Sequence, residues 1–236
     1  MARRVKLLQV VMLVAILAAA VRLAFVIKQR LKPAAGKAAA TAPPLNREAY
    51  VVPKKLHAYD LQSARALAQQ PVWVQEGYRY IYYPFDPKRH AADFVHQAGL
   101  LGPLEQLQIQ EVRSQATPGH PQQRQVIAIF EKDGHSYAVP VGIDSNGEFQ
   151  IYADEMFFYE DPRQLYSFWP AEVWNSIKNH QVNDGMNEIQ ADFAVGYGVP
   201  QPTGADPGEK IVKYPNGGHR LAVTYRQGRA VKVEEP

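Results

Sequence analysis

Histidines are the first residues in this sequence whose type and spacing could support a metal site. Seven are spread along the 236-residue chain, and His90 and His96 lie close together. Two imidazoles that bind one metal ion from a helix are normally four residues apart, on one face, whereas these are six apart. The spacing favours surface histidines, and we expect no metal site.

Acidic residues suggest two further kinds of chemistry, and neither is supported by their spacing. The segment 144–147 (Asp-Ser-Asn-Gly) begins like a calcium loop, but its sixth position is Phe149 rather than glycine, so a turn is the better interpretation. The pairs at 154–155 and 160–161 are adjacent in sequence, and adjacency does not place two carboxylates across a cleft as glycoside hydrolysis requires. We expect a solvated acidic surface at these pairs.

Short catalytic motifs are absent from the sequence. It has no Gly-x-Ser-x-Gly, His-Glu-x-x-His or Gly-x-x-x-x-Gly-Lys segment, and because it has no cysteine a thiol nucleophile is excluded. We therefore expect a protein that is not an enzyme and holds no cofactor.

Aromatic residues form the cluster that best suggests binding. Tyr78, Tyr80 and Tyr82 alternate, so they would share one face of a strand, and Trp73 lies just before them. Such a face is either a stacking platform for a peptide or glycan or part of a β-sheet core, and the pattern favours the core. The candidate interaction surface consists of Trp73, Tyr78, Tyr80 and Tyr82.

Turn and periodicity signals predict the elements that would position these residues. Asp60 can cap a helix over 61–69, and Pro71 ends it. Strands are predicted at 72–74, 78–83, 125–130 and 135–141, with Asp133-Gly134 as a tight hairpin turn. A further strand follows the turn at 144–147. Residues 50–165 are therefore predicted to be a mostly-β domain, interpreted as a small SH3-like barrel.

The pattern changes to helices near residue 166. Pro170 can open one helix, and Asn187 with Gln190 three residues later predicts a capping box for a second. Strands predicted at 210–214, 219–225 and 230–233 form a meander. The predicted order is helix, helix, strand, strand, strand.

This order, with Gly-Met-Asn-Glu-Ile-Gln at 185–190 and Gly-Val-Pro at 198–200, resembles the BamE (SmpA/OmlA) family of outer-membrane assembly lipoproteins. That family has a Gly-Met-Thr-x-x-Gln-like helix start, and here Asn187 stands in the threonine position and keeps the capping role. The resemblance covers about residues 174–233 and rests mostly on caps and turns. The chain departs from the family in lacking a lipobox cysteine and in carrying a large preceding domain. The resemblance implies an extracytoplasmic envelope protein that binds other proteins.

The N-terminal segment suggests a membrane span. Its first forty residues carry eight basic residues and no acidic residue around the apolar run from Leu7 to Ile27, which would reach roughly 30 Å as a helix. Apolar character continues beyond Ala20, so a retained signal-anchor is favoured over a cleaved signal peptide. Both flanks are basic, so charge leaves the orientation open.

Composition separates this segment from the rest of the chain. Residues 30–49 are rich in alanine and proline and predict an extended linker. After the first forty residues the chain has 18 basic and 23 acidic residues and no basic stripe. We therefore expect no binding to nucleic acid.

The predicted fold class is α+β, with an N-terminal transmembrane helix, a small SH3-like β domain and an ααβββ, BamE-like domain. The predicted boundaries are 1–29, 30–49, 50–165 and 166–236. We expect a single-pass protein of the bacterial inner membrane, held by residues 7–27, with periplasmic C-terminal domains that contact other envelope proteins. The predicted function is a non-enzymatic protein-interaction or scaffold module, and the alternative is a module that binds a small molecule, peptide or glycan.

Overall fold

Antiparallel β-sheet makes up most of the chain that the structure describes. The computed structural model describes residues 22, 47–202 and 208–235. Of these residues, 40% lie in strands and 22% in helices. The chain divides into two units, residues 1–50 and 51–236. The first includes the 3₁₀-helix Arg47–Tyr50, and all elements below belong to the second.

The second unit has fourteen strands among its described residues. They are β1 (Val72–Val74), β2 (Ile81–Asp86), β3 (Ala91–Ala92), β4 (Gly99–Leu100), β5 (Gln106–Leu107), β6 (Ile109–Thr117), β7 (His120–Lys132), β8 (His135–Ser145), β9 (Glu148–Ile151), β10 (Phe157–Phe158), β11 (Val199–Pro200), β12 (Glu209–Tyr214), β13 (Leu221–Arg226) and β14 (Arg229–Glu234).

The helices of this unit are short. They are α1 (Leu61–Ala64), α2 (Ala153–Met156), α3 (Pro162–Leu165), α4 (Ala171–Lys178) and α5 (Glu188–Val195), with 3₁₀-helices at Arg65–Gln69 and Asn216–Gly218.

The largest sheet has seven strands in the order β3-β2-β8-β7-β6, with β4 paired to β2 and β9 to β8. In the β7–β8 hairpin Asp133 and Gly134 have φ angles of 51° and 74°, and a type I′ turn requires two such positive values. The tight hairpin predicted at this pair is confirmed. The predicted turn at 144–147 is confirmed as well, because Asn146 and Gly147 have φ angles of 56° and 91° and join the paired strands β8 and β9.

One side chain ties the two ends of this sheet together. Gln115 of β6 accepts a hydrogen bond from the N–H of Ala92 in β3 at 2.7 Å, and its amide nitrogen donates to the Ala92 carbonyl at 2.8 Å. The side-chain amide thus makes the pair of bonds that a residue of a neighbouring strand would make. The sheet must therefore curve until its first and last strands meet at this point.

The central residues of β7, 126–130, are buried on both faces of the sheet. Val126, Ala128 and Phe130 pack into the main core, whereas Ile127 and Ile129 pack into a smaller cluster. The continuous apolar run at 126–130 is typical of a strand that is covered on both sides. A small separate sheet has the strand order β10-β1-β5 and brings Trp73 opposite Phe158.

The C-terminal residues build a second core between helices and the four-stranded sheet β11-β12-β13-β14. Asn187 Oδ1 accepts from the Gln190 N–H, and Gln190 Oε1 accepts from the Asn187 N–H, both at 2.9 Å. The predicted capping box of α5 is therefore confirmed, as is the meander β12-β13-β14. Tyr214 and Tyr225 lie buried on neighbouring strands, with their hydroxyl groups 2.7 Å apart.

The predicted fold class is wrong. The described chain is mainly β-sheet, and the expected class of a transmembrane helix, a small SH3-like domain and an ααβββ domain does not describe it. One reason is that β6 and β7 run through the polar segments 113–117 and 120–125. These segments lack apolar alternation, and pairing between the two strands supplies their backbone hydrogen bonds. The predicted domain boundaries stay predictions.

No helix within residues 22, 47–202 and 208–235 combines the length and apolar character needed to cross a membrane. This finding contradicts the predicted transmembrane signal-anchor and the single-pass inner-membrane localisation that depended on it. The predicted span, residues 7–27, lies outside the described residues except for Arg22.

Candidate functional site

The four aromatic residues of the predicted interaction surface lie in different surroundings. Strand β2 begins at Ile81, and Tyr78 has a φ of +59°, so the three tyrosines do not alternate along one strand. Tyr80 is partly buried and donates a hydrogen bond to Glu76 Oε2 at 2.7 Å. This contact and burial together raise the pKa of Tyr80 well above its usual value, with burial as the larger cause.

Tyr82 belongs to the core. Its side chain is only 9% exposed, and its ring meets those of Phe130 and Tyr137 edge-on, with centroids 5.7 and 5.0 Å away. For this residue the structure agrees with the interpretation that the aromatic run contributes to packing.

Trp73 lines a pocket of about 320 Å³, which we call the Trp73 pocket. The indole of Trp174 forms another part of the wall, and Gln106, Arg163 and Lys178 bring polar groups to it. Trp73 and Trp174 are both partly buried. The pocket therefore combines aromatic surface with hydrogen-bonding groups.

Tyr78 lines a larger groove of about 700 Å³, which we call the Tyr78 groove. Three tyrosines and three basic residues contribute to its walls: Tyr78, Tyr197, Tyr214, Arg79, Lys213 and Arg220. These residues come from the segment before β2, the segment before β11, and the β12–β13 hairpin. Aromatic rings and cations thus converge from three separate parts of the sequence.

Two glycines hold Tyr78 in place. A Cβ at Gly196 would lie 2.6 Å from Tyr78 Cδ2, and a Cβ at Gly217 would lie 3.2 Å from Tyr78 Oη. Both glycines have positive φ angles, 91° and 61°, which side-chain-bearing residues rarely adopt. The Tyr197 N–H also donates to the Gly77 carbonyl at 3.0 Å. The backbone at 196–197 is therefore fixed against residues 77–78.

The basic residues of the groove differ in how far their charge is compensated. Arg79 Nη1 lies 2.6 Å from Glu76 Oε2, and its Cζ lies 4.9 Å from the centroid of the Tyr197 ring. The side chains of Lys213 and Arg220 are exposed and make no ion pair or hydrogen bond with any other residue that the structure describes. No carboxylate of the described chain lines the groove. The groove is therefore positively charged.

The sheet edge at β11, beside the groove, presents exposed side chains to a partner but few free backbone groups. The side chains of Tyr197 and Val199, two positions apart in sequence, are 39% and 55% exposed, and both values are high for large apolar side chains. Strand β11 is only two residues long, and Pro200 has no N–H to donate to an added strand. The edge therefore favours recognition by side chains over addition of a strand.

Asp192 accepts hydrogen bonds from the backbone on either side of Tyr197. Its Oδ1 accepts a hydrogen bond from the Gly198 N–H at 3.3 Å, and its backbone carbonyl accepts from the Gly196 N–H at 3.0 Å. Burial raises the pKa of Asp192 to about 7, with a further contribution from the negative charges of Glu188 and Glu76. The protonation state of this carboxylate is therefore linked to the segment that carries Tyr197 and Val199.

The described residues offer no comparable site for a metal ion. Within residues 22, 47–202 and 208–235, no three His, Asp or Glu side chains come together so that they could hold one. Of the two histidines considered from the sequence, His96 lies 2.7 Å from Asp93 Oδ2 through its Nδ1. His90 is exposed.

Sequence reasoning found Tyr78 and missed the rest of the groove. Arg79 lies between two residues that were singled out, but Tyr197, Val199, Lys213 and Arg220 are more than a hundred residues further along the chain. The one available signal was the group of glycines at 196, 198, 217 and 218, which the sequence presents only as helix-end and turn residues. Nothing in the local pattern connects these glycines with Tyr78.

No family model, curated protein or solved structure matches this chain.

Proposed function

We propose that this protein is a non-catalytic protein-interaction module that binds side chains of a partner protein in the Tyr78 groove. The observation that carries the proposal is the convergence of Tyr78, Tyr197 and three basic residues around a groove of about 700 Å³, whose wall also includes the buried Tyr214. Tyrosine and arginine are the residue types most enriched in the energetically important centres of protein interfaces.

Preorganisation supports this proposal. Tyr78 is packed against two glycine backbones, and Arg79 is held by both Glu76 and the Tyr197 ring. A partner that binds here would not need to order these side chains, and ordering a long side chain costs about 0.5–1.5 kcal/mol. A groove whose walls are already fixed can therefore bind with few new contacts.

The C-terminal element order also supports the proposal. Helices α4 and α5 are followed by β11 and then by the meander β12-β13-β14, so this order differs from the one that the BamE resemblance implies by the added strand β11, and proteins of that family bind other proteins. The resemblance itself stays a prediction.

Site-specific photocrosslinking in the native host tests the proposal. A photoreactive phenylalanine analogue would replace Tyr197 in the groove and, in a control chain, Tyr59, which is 76% exposed and does not line it. We expect a discrete protein adduct from position 197 that mass spectrometry identifies and that the purified partner reproduces. Equal adducts from both positions, or none from position 197, would contradict the proposal.

The Trp73 pocket favours a second candidate function, the binding of a small molecule or glycan. Its volume of about 320 Å³ is at the lower end of the range for ligand sites, and two indole rings stand beside polar groups. A glycan array probed with the full-length chain and with its Trp73→Phe variant tests this candidate. Binding that the substitution weakens would support it, and an array without signal would contradict glycan binding.

A further inference from the structure

We infer that the Tyr78 groove selects an acidic, extended segment of its partner, an inference that rests on the proposed function. Positive charge is concentrated at this site although the chain beyond its first forty residues has more acidic than basic residues. Three basic residues and no carboxylate of the described chain line the groove. Complementary charge is what steers a partner to such a surface and fixes its register.

Lys213 and Arg220 supply the charge that is available to a ligand. Arg79 is already paired with Glu76, whereas these two side chains have no ion pair or hydrogen bond with another described residue. Lys213 lies opposite Ala222, and the next pair along the ladder is Tyr214 opposite Leu221. Arg220 directly precedes Leu221, so the Tyr214–Leu221 pair lies between the two cations.

This arrangement sets the spacing of the ligand. Arg220 directly precedes β13 and is offset from Lys213 by about two residues along the ladder, roughly 7 Å. The two cations also lie on neighbouring segments roughly 5 Å apart, so about 8 Å separates their Cα positions. In an extended peptide, side chains two residues apart point the same way and are separated by roughly 7 Å, a difference of about 1 Å that the long side chains of lysine and arginine can span. Two carboxylates in the pattern acidic-x-acidic therefore match the two cations. Tyr78 and Tyr197 offer aromatic surface to the peptide residues that flank the two acidic ones.

The N-terminal segment of the same chain does not fit this groove. Its first forty residues carry eight basic residues and no acidic residue, so they would be repelled by the basic residues that line the groove. Charge complementarity therefore favours an acidic segment of a partner protein as the occupant, and the net acidic character of the chain beyond its first forty residues disfavours a nucleic acid.

Selection from a random-peptide display library on the immobilised full-length chain tests the inference. We expect selected peptides to be enriched in the acidic-x-acidic pattern. Replacing both acidic residues of a selected peptide by glutamine should weaken its binding about tenfold, because each exposed ion pair contributes roughly a two- to five-fold factor. Raising the salt concentration should weaken the acidic peptide more than its glutamine counterpart.

Paired variants locate the effect. Lys213→Gln with Arg220→Gln should reduce binding of the acidic peptide by about tenfold. The matched control is Lys88→Gln with Arg89→Gln, two adjacent exposed cations outside the groove, which should change binding less than twofold. Circular dichroism of each variant should match that of the wild-type chain, since all four side chains are exposed.

The possible failures are distinguishable. Selected peptides that need Tyr197 but are not acidic would overturn the inference and leave the proposed function standing. Peptides that bind independently of Tyr197 would overturn both. Stronger binding of oligo-dT than of the acidic peptide, or self-association that the Lys213 and Arg220 substitutions abolish, would identify a different occupant and overturn the inference.

Discussion

Asp192→Asn is expected to change how the stability of this protein depends on pH. Asp192 is partly buried next to the Tyr78 groove, and the pKa of its carboxyl group is raised from 3.8 to about 7 because burial disfavours the charged form. Glu188 and Glu76 add to the rise, whereas Lys210 and the Gly198 N–H oppose it. Asparagine has nearly the same shape, keeps an oxygen for the Gly198 N–H, and cannot ionise.

The sign and size of the effect follow from proton linkage. Between pH 3.8 and about 7 the unfolded chain has lost this proton and the folded chain still holds it, so the contribution of Asp192 to stability falls as pH rises and then levels off. The whole rise in pKa corresponds to roughly 4 kcal/mol, and about 2–3 kcal/mol of it lies between pH 5 and pH 8. The variant should gain that amount over the wild-type chain across this interval.

Urea unfolding followed by tryptophan fluorescence at a series of pH values measures this difference directly. The comparison uses the change in ΔΔG between pH 5 and pH 8, so any constant effect of burying an amide cancels. Asp184→Asn, at an exposed position shortly before α5, is the control and should leave the pH dependence as in the wild-type chain. Parallel stability curves for Asp192→Asn and the wild-type chain would refute the reasoning.

Two stability predictions concern contacts that the fold makes over long distances. Gly196→Ala should destabilise the protein by roughly 3–5 kcal/mol, because the added Cβ would lie 2.6 Å from a tyrosine ring at a φ of +91°. Gly147→Ala, at the same φ but with no atom of the described residues within 4 Å of the added Cβ, should cost only about 1–2 kcal/mol in thermal or urea unfolding. Equal losses of stability in the two variants would mean that the positive φ alone, and not the contact with Tyr78, causes the destabilisation. Gln115→Ala should lower the free energy of unfolding by about 1–3 kcal/mol and speed amide exchange at Ala92, because the Ala92 backbone loses both of its bonds to Gln115. Gln122→Ala, at an exposed position, is the control and should lower it by less than about 0.5 kcal/mol. Unchanged exchange at Ala92 would show that the sheet ends are held together by other contacts.

Local features of the fold were readable in the sequence because the groups involved are neighbours in the chain. The hairpin at Asp133 and Gly134 depends on two adjacent residues that tolerate positive φ, and the cap of α5 depends on Asn187 and Gln190, three positions apart. Such interactions need no information about the rest of the molecule. The elements built on them were therefore predicted correctly.

The overall class was not predictable in the same way. Strands β6 and β7 continue through polar residues that have no alternating pattern, and only their mutual pairing makes them strands. Tyr82 shows what contacts add at a single position: its spacing favours a core without excluding an exposed platform, and contacts with Phe130 and Tyr137 place it in the core.

By itself the sequence determined the turns, the caps, the separation of a basic N-terminal segment from a mildly acidic remainder, and the absence of cysteine chemistry. Only the tertiary structure decided that Tyr78 meets Tyr197, Lys213 and Arg220 in one positively charged groove. The physical reason is that this groove depends on close backbone approaches at Gly196 and Gly217, far from Tyr78 in sequence, and a linear pattern records residue types without the contacts that folding creates between them.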